Sequence, residues 1–239
     1  MIEKTLTIKR FLVDHFFDFL MLFLAITLGF FVDNYRESVN NAHTAKDLAA
    51  DLISDISKDT LRIKGLLLKN KDKIGKLDSL FVMIDVKAKP YNDSLIYLYS
   101  AYSNQVPWFE RNGGTYKVLT NTGSLDYFSK DVLSKMAKYE LDCIKTISLL
   151  EQEGAIINEK ILPFQQKIFH TENFQSLLNR NRLVTKSELH NWNNETKWLY
   201  HNYITELKII NQKIFIQFED LLLSAKALTI LLIKEYRFS

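Results

Sequence analysis

The stretch FFDFLMLFLAITLGFFV, residues 16–32, decides the fold of this 239-residue chain. Its only charged side chain is that of Asp18. Extended slightly on both sides, the apolar segment 11–33 is long enough, at about 1.5 Å per residue, to cross the roughly 30 Å hydrocarbon core of a bilayer. A buried helix of a soluble protein rarely carries Phe and Leu on every face. The sequence therefore predicts a transmembrane helix over residues 11–33.

Basic residues before an apolar run are also typical of a cleavable signal peptide, and Lys4, Lys9 and Arg10 precede this one. The sequence VDNYRESVN, residues 32–40, contains no small-x-small cleavage site, and helix-compatible residues continue beyond it. We therefore expect the segment to stay attached as an anchor.

The distribution of basic residues predicts the orientation of this helix. Three precede it, whereas only Arg36 and Lys46 follow it closely. The positive-inside rule then places residues 1–10 in the cytoplasm as a short tail and residues 34–239 on the other side of the membrane. For a bacterial chain, this predicts a protein of the inner (cytoplasmic) membrane whose main domain is periplasmic.

Helical spacing places Asp14, Asp18, Leu22, Ala25 and Gly29 along one stripe of the predicted span. A carboxylate at mid-span costs about 2.5–3.5 kcal/mol on insertion scales, so it usually faces protein or water. Ala25 and Gly29 form a small-x-x-x-small pair, which lets two helices approach closely. One interpretation is a contact with another transmembrane helix. The other is that the acidic residues lie near the headgroups and Gly29 is incidental.

Residues 38–86 predict one long helix that continues from the span, because no proline interrupts them before residue 90. Its apolar positions alternate steps of three and four, as in a heptad pattern. Asn70 is a polar member of the kind that fixes register or partner number. The pattern fits a coil with a second copy as well as packing inside the chain's own bundle. The predicted seam comprises Ile53, Ile56, Ile63, Leu67, Asn70, Ile74 and Leu77, with Thr60, Phe81 and Ile84 in the same register.

The rest of the chain also predicts helices, because seven glycines and three prolines are too few for a sheet rich in tight turns. Pro163 is expected to end one long helix, and the capping box Thr185-x-x-Glu188 to open another. The fold class is therefore all-α: an N-terminal transmembrane helix continues into a long helix that packs in an extracytoplasmic helical bundle. The other long helices are predicted at about 129–161 and 185–236, and short helices and loops at about 91–125 and 171–180.

Several motifs follow one another in a set order: Asp18-Phe19-Leu20, Gly29, Asn34-Tyr35-Arg36-Glu37, the acidic-leucine segment 47–52, and Tyr116-x-x-Leu119-x-x-x-Gly123-x-Leu125. In this order and spacing, over residues 14–60 and 113–140, the chain resembles an uncharacterised family (a domain of unknown function) of bacterial single-span membrane proteins. It departs from that family in having Tyr35 where tryptophan is usual and Asp18 where glutamate is typical. The resemblance implies a membrane-anchored, non-enzymatic helical protein and brings no known activity or ligand.

Signs of catalytic or cofactor chemistry are sparse in the sequence. The five histidines form no H-x-x-x-H pair and no Glu-x-x-His framework, so no metal site is predicted. Gly113-Gly114 lacks the Lys-Ser/Thr of a phosphate loop, and the lone Cys143 is expected to be a small core residue. A net charge of +3 is too small to indicate nucleic-acid binding. We therefore predict no enzyme activity and no cofactor.

Aromatic residues are concentrated between residues 91 and 116, around the Gly-Gly loop. Such a group suits either a binding surface or the core of the bundle. Trp108 and Phe109 are the residues expected to be exposed, and Tyr116 completes the candidate partner-binding loop. The sequence thus favours an interaction protein whose partners are the lipid bilayer and other membrane protein subunits or a second copy. The alternative is an envelope sensor that recognises a small ligand or envelope component near residues 97–116.

Overall fold

A computed structural model describes residues 2–85, 93–180 and 188–238 of the chain; the side chains of residues 2–15, 174 and 177–180 lie outside that description. It is 88% helical, and no strand occurs in the described ranges. The all-α class is confirmed, together with an N-terminal apolar helix that runs into the bundle.

The first helix, α1, spans Ile2–Met83 without a break. At about 1.5 Å per residue it is roughly 120 Å long. Its first half is exposed between residues 16 and 44, except for a few half-buried positions. Its second half, from Ala45 onward, buries one face against the remaining helices. A single helix therefore connects the apolar segment rigidly to the bundle.

The bundle consists of the second half of α1, of α4 (Lys130–Ile156) and of α7 (Asn194–Tyr236). Helix α7 runs antiparallel to both α1 and α4, which are therefore parallel to each other. The contacts that fix these directions are Asn70–Asn211 and Asp78–Lys208 between α1 and α7, Asp142–Gln217 between α4 and α7, Lys160–Glu206 between the turn that follows α4 and α7, and Asp59–Tyr139 and Lys73–Glu153 between α1 and α4.

The buried face of α1 differs in register from the predicted seam. Ile56, Ile63, Asn70 and Leu77 are buried as the heptad pattern predicts, but Ile53, Leu67 and Ile74 are only half-buried at its edge, as are Thr60 and Phe81. At each of these five positions, the residue immediately before it in the sequence is buried instead. The buried residues, which repeat every three and four positions, are Ala45, Ala49, Leu52, Ile56, Asp59, Ile63, Leu66, Asn70, Lys73, Leu77, Leu80 and Ile84.

The predicted end of α4 before Pro163 is wrong. A π-helical turn, Ile157–Ile161, follows α4, and the helix continues as α5, Leu162–Ile168. The Leu162 N–H donates to the Ile157 carbonyl, five residues back. A proline inside a regular α-helix clashes with the carbonyl four residues earlier. The wider turn changes the local geometry just before Pro163, so the helical path continues.

Helix α7 begins at residue 194 rather than 185. Thr185 lies outside the described residues, and the segment from Glu188 to Asn193 is not helical. Asn191 has a φ of 50°, which interrupts a right-handed helix. The side chain of Asn193 accepts a hydrogen bond from the Thr196 N–H at 2.9 Å and caps the helix there.

Short helices occupy the predicted intervals between the long ones. The observed elements are α2 (Asp93–Ser103), α3 (Gly114–Thr122), a 3₁₀ turn (Ser124–Tyr127) and α6 (Thr171–Arg180). Gly123 ends α3 with a φ of 69°, a left-handed conformation that favours glycine. Helices α2 and α3 pack against α1, and the loop between them reaches α4 through an ion pair of Arg111 with Glu140.

Candidate interaction surfaces

The apolar segment 16–32 is the longest run of exposed large hydrophobic side chains among the described residues. None of its most apolar part is buried, and within the described residues α1 is the one helix long and apolar enough to cross a membrane. Large apolar side chains point outward on all its faces. Such a band far exceeds the scattered apolar residues that soluble monomers normally expose.

The predicted stripe lies on this segment. Asp18, Leu22, Ala25 and Gly29 are all exposed, whereas the side chain of Asp14 is outside the described part. A Cβ atom added at Gly29 would meet nothing within 4 Å. Among the described residues no contact therefore requires a glycine there, and the notch it leaves in the helix surface is open to another molecule.

A second apolar surface lies outside this segment, in a groove between α1 and α7. It has a volume of about 840 Å³. Exposed aliphatic side chains line or flank it on the sides of both helices that point away from the core, with exposed fractions between 50% and 70%. They recur at intervals of seven: Leu61 and Leu68 on α1, and Ile209, Ile216, Leu223 and Ile230 on α7. The α7 series is visible in the sequence, but without the structure it cannot be separated from the core series.

Charged side chains of both signs lie in the same groove. Lys64 comes from α1, whereas Glu219, Asp220 and Lys226 come from α7. Within the described parts of the chain, these four side chains form no hydrogen bond or ion pair. The groove is thus an apolar surface bordered by charges that remain available to a partner.

Among the described aromatic residues between 93 and 116, Trp108 alone is strongly exposed. Trp108 is 78% exposed, as expected, but Phe109 is 5% exposed, so its predicted exposure is wrong. The Phe109 ring belongs to the core because the loop folds back onto the bundle. Tyr116 is half-buried, with the Arg111 guanidinium 4.9 Å from the centre of its ring. The loop therefore presents a single indole rather than a broad aromatic surface.

Trp108 borders a cavity of about 300 Å³ between this loop and α1. Beneath it lies a buried polar network in which Lys73 donates to the Glu153 carboxylate and to the Gln105 carbonyl. Burial lowers the pKa of Lys73, and the neighbouring Glu153 opposes that shift. These bonds link α1 to α4 and tie the loop to both.

The network continues through two asparagines. Asn211 Nδ2 donates to Glu153 Oε1 at 2.8 Å, and Asn70 Nδ2 donates to Asn211 Oδ1 at 2.8 Å. Two buried acceptors, Asn70 Oδ1 and Glu153 Oε2, have no hydrogen-bond partner among the described residues. The predicted seam residue Asn70 therefore acts inside the chain, where it fixes α1 against α7.

A second buried cluster holds the far end of the loop. The Asp59 carboxylate accepts hydrogen bonds from the Asn112 N–H at 2.9 Å, from Asn112 Nδ2 at 2.7 Å and from the Tyr139 hydroxyl at 2.8 Å. Burial raises the pKa of Tyr139 and raises that of the neighbouring Cys143 to about 12. Both groups are thus protonated at neutral pH. Cys143 is buried, which confirms its assignment to the core.

One histidine pair is visible at the surface. His190 Nε2 lies 3.1 Å from His170 Nδ1. Among the described residues, no group of three or more metal-binding side chains surrounds this pair or any other point. The pair therefore tethers the segment before α7 to the end of α5.

No family model, curated protein or solved structure matches the chain.

Proposed function

We propose that the chain is a membrane-anchored, non-enzymatic interaction protein, which assembles with itself or serves as an accessory subunit of a larger membrane complex. The observation that carries this proposal is the exposed apolar segment 16–32, which continues without a break into a helix of the bundle. Insertion into a bilayer removes this apolar surface from water, which stabilises the inserted helix by about 25 cal/mol per Å² of apolar surface buried. The bundle is then held at the membrane by a continuous helix.

Two further surfaces support an interaction role. The stripe through Asp18 and Gly29 offers a contact inside the bilayer, and the α1/α7 groove offers one outside it. The buried polar clusters are satisfied mainly by groups of the chain itself and fix helices and loop in place, so the proposal assigns no reaction to them. Membership of the uncharacterised single-span family is part of the proposal and rests on the order of its motifs.

The proposed location is a bacterial inner membrane, with the N-terminus in the cytoplasm and the bundle in the periplasm. The excess of basic residues before the apolar segment supports this orientation.

Alkaline carbonate extraction of membranes that contain the full-length chain tests the anchor. We expect the wild-type chain to stay in the membrane pellet. Replacing both Leu24 and Ile26 with Lys raises the free energy of membrane insertion by about 2.5–3.5 kcal/mol for each charge at the helix centre. This double variant should therefore be released into the supernatant. Ile144→Lys, at an exposed apolar site of α4 outside the α1/α7 groove, serves as the control and should remain in the pellet. Extraction of the wild-type chain by carbonate contradicts the proposal.

The cavity beside Trp108 favours one alternative, a sensor that binds a small ligand of the envelope. Its supporting observation is an exposed indole next to a cavity, with two buried acceptors beneath it that have no hydrogen-bond partner among the described residues. Such a site suits a ligand with hydrogen-bond donors and a flat or cationic group. Native mass spectrometry of the chain purified from membranes tests this alternative. A bound small mass that disappears in Trp108→Ala supports it, whereas identical spectra for both chains contradict it.

A further inference from the structure

We infer that the groove between α1 and α7 holds a second copy of this chain. The two copies point in the same direction, and their α1 and α7 helices form a two-fold symmetric four-helix arrangement. This deepens the proposed function, because it names the partner, and it rests on that function for the common direction of the two anchors. Three observations carry the inference: the spacing of the exposed aliphatic residues, the direction of the helices, and the positions of the charged side chains along the helix axes.

The exposed residues of the groove repeat as helix-to-helix contacts do. Leu61 and Leu68 on α1, and Ile216 and Leu223 on α7, are each seven residues apart and lie opposite the core. A seven-residue repeat keeps a helix in contact with another helix along its length. Each of these two neighbouring helices thus has a second seam, for which the described part of the chain supplies no partner.

The anchor limits the possible symmetry. Two copies in one bilayer must enter it in the same direction, so the two-fold axis runs along the membrane normal and hence along α1. Within each copy α7 is antiparallel to α1. The α1 of one copy then meets the α7 of the other in antiparallel fashion, and all four neighbouring pairs are antiparallel. This is the arrangement of an antiparallel four-helix bundle.

The charges match across such an axis. A hydrogen bond at 2.8 Å places Asn70 and Asn211 at the same height. Lys64 lies about 9 Å from Asn70 along α1, and Glu219 lies about 12 Å from Asn211 in the same direction along the antiparallel α7. Lys64 and Glu219 are therefore at nearly the same height. Because rotation about the axis preserves height, Lys64 of each copy lies opposite the acidic pair Glu219 and Asp220 of the other.

The stripe in the apolar segment lies on the same face of α1 as the groove. Ala25 precedes Leu61 by 36 residues, which is about ten turns at about 3.6 residues per turn, so both lie on the same face of α1. Asp18 and Gly29 lie within about 40° of that face. Small residues there let two parallel helices approach closely inside the bilayer. One side of α1 thus carries both the membrane stripe and one wall of the groove.

A charge exchange between two differently tagged full-length chains, co-expressed in one membrane, tests the inference. In pairs made only of K64E, or only of E219K, like charges lie opposite each other at both contacts. We expect each variant to co-purify with itself about tenfold less than the wild-type chain does. The mixed pair of K64E with E219K restores opposite charges at both contacts and should regain most of the wild-type level. Lys117→Glu, exposed on α3 and remote from the groove, should have no effect.

A mixed pair that co-purifies no better than the single variants overturns the inference. So does a wild-type chain that never captures its tagged copy. If carbonate extraction of the same membranes leaves every variant in the pellet, the anchored function stands and only the second copy is excluded. If the wild-type chain is itself extracted, the proposed function fails, and the parallel geometry fails with it. A third outcome also overturns the inference: the chain captures a stoichiometric foreign protein but no tagged copy, and Leu223→Glu loses that protein. The groove then binds the foreign protein.

Discussion

Asp59 offers the sharpest test of how the loop is fixed to the bundle. Its carboxylate is 1% exposed and accepts hydrogen bonds from the backbone and side chain of Asn112 and from the Tyr139 hydroxyl. Asp59→Ala removes all of these and leaves the buried Tyr139 hydroxyl and the half-buried Asn112 donors without this acceptor. We therefore expect the free energy of unfolding to fall by about 3–5 kcal/mol, as for other buried charged groups that lose a partner.

The change can be measured by thermal unfolding of the full-length chain in mild detergent, followed by circular dichroism. For a helical domain of this size, about 2–4 °C per kcal/mol translates into a decrease in Tm of about 6–20 °C. Asp59→Asn keeps the shape and part of the acceptor capacity, so its decrease should be smaller. Amide hydrogen exchange in the loop 104–113 should also accelerate in Asp59→Ala, because the Asn112 N–H loses its acceptor.

The matched control is Asp51→Ala, which removes an exposed carboxylate from the same helix. It should change the free energy of unfolding by no more than about 0.5 kcal/mol. If Asp59→Ala melts within about 2 °C of this control and loop exchange is unchanged, the carboxylate does not hold the loop and the reasoning is refuted.

Three further predictions concern other positions. Burial raises the pKa of Cys143 from 9.0 to about 12. The contribution of the protonated thiol to the free energy of unfolding is therefore complete below pH 9 and is lost as the pH rises from 9 to 12. In denaturant titrations over this range, Cys143→Ala should reduce the fall of the free energy of unfolding by up to about 1.4 kcal/mol per pH unit. Gly123→Ala should lower the free energy of unfolding by about 1 kcal/mol in the same titrations, because the φ of 69° strains a side chain, whereas an unchanged midpoint would contradict this account of the α3 end. Lys73→Met should lower the free energy of unfolding by about 3–5 kcal/mol, because it leaves Glu153 buried without its cation. In thermal melts, the double variant Lys73→Met with Glu153→Leu should recover most of this loss. If it recovers nothing, the two residues are not coupled.

The sequence predicts the helical class, the apolar segment and the positions of the short helices, because composition and local periodicity determine them. It predicts the wrong register for half of the α1 seam. The heptad pattern selects Thr60 and Ile74, whereas the structure buries Asp59 and Lys73. Those charges are stable inside because α4 and the loop supply Tyr139, Asn112 and Glu153, which are distant in sequence. Local hydrophobicity contains no information about such partners.

The other differences have equally specific causes. Helix α4 continues through Pro163 because a π-helical turn precedes the proline, and no residue pattern in the chain indicates that turn. Phe109 is buried because the loop folds back onto α1, which depends on the long-range bonds of Asp59. The exposed α7 series could be counted in the sequence. Its separation from the core series required knowing which face of α7 meets α1 and α4.

The central claim, an anchored protein that works through contacts with other chains, is tested most directly by native mass spectrometry of the full-length chain. The chain is extracted from its own membranes in mild detergent. We predict a complex of defined stoichiometry that contains a second copy of the chain or a stoichiometric membrane subunit. A monomer accompanied only by lipid and detergent, at concentrations where the membrane extract retains other known complexes, would contradict the account.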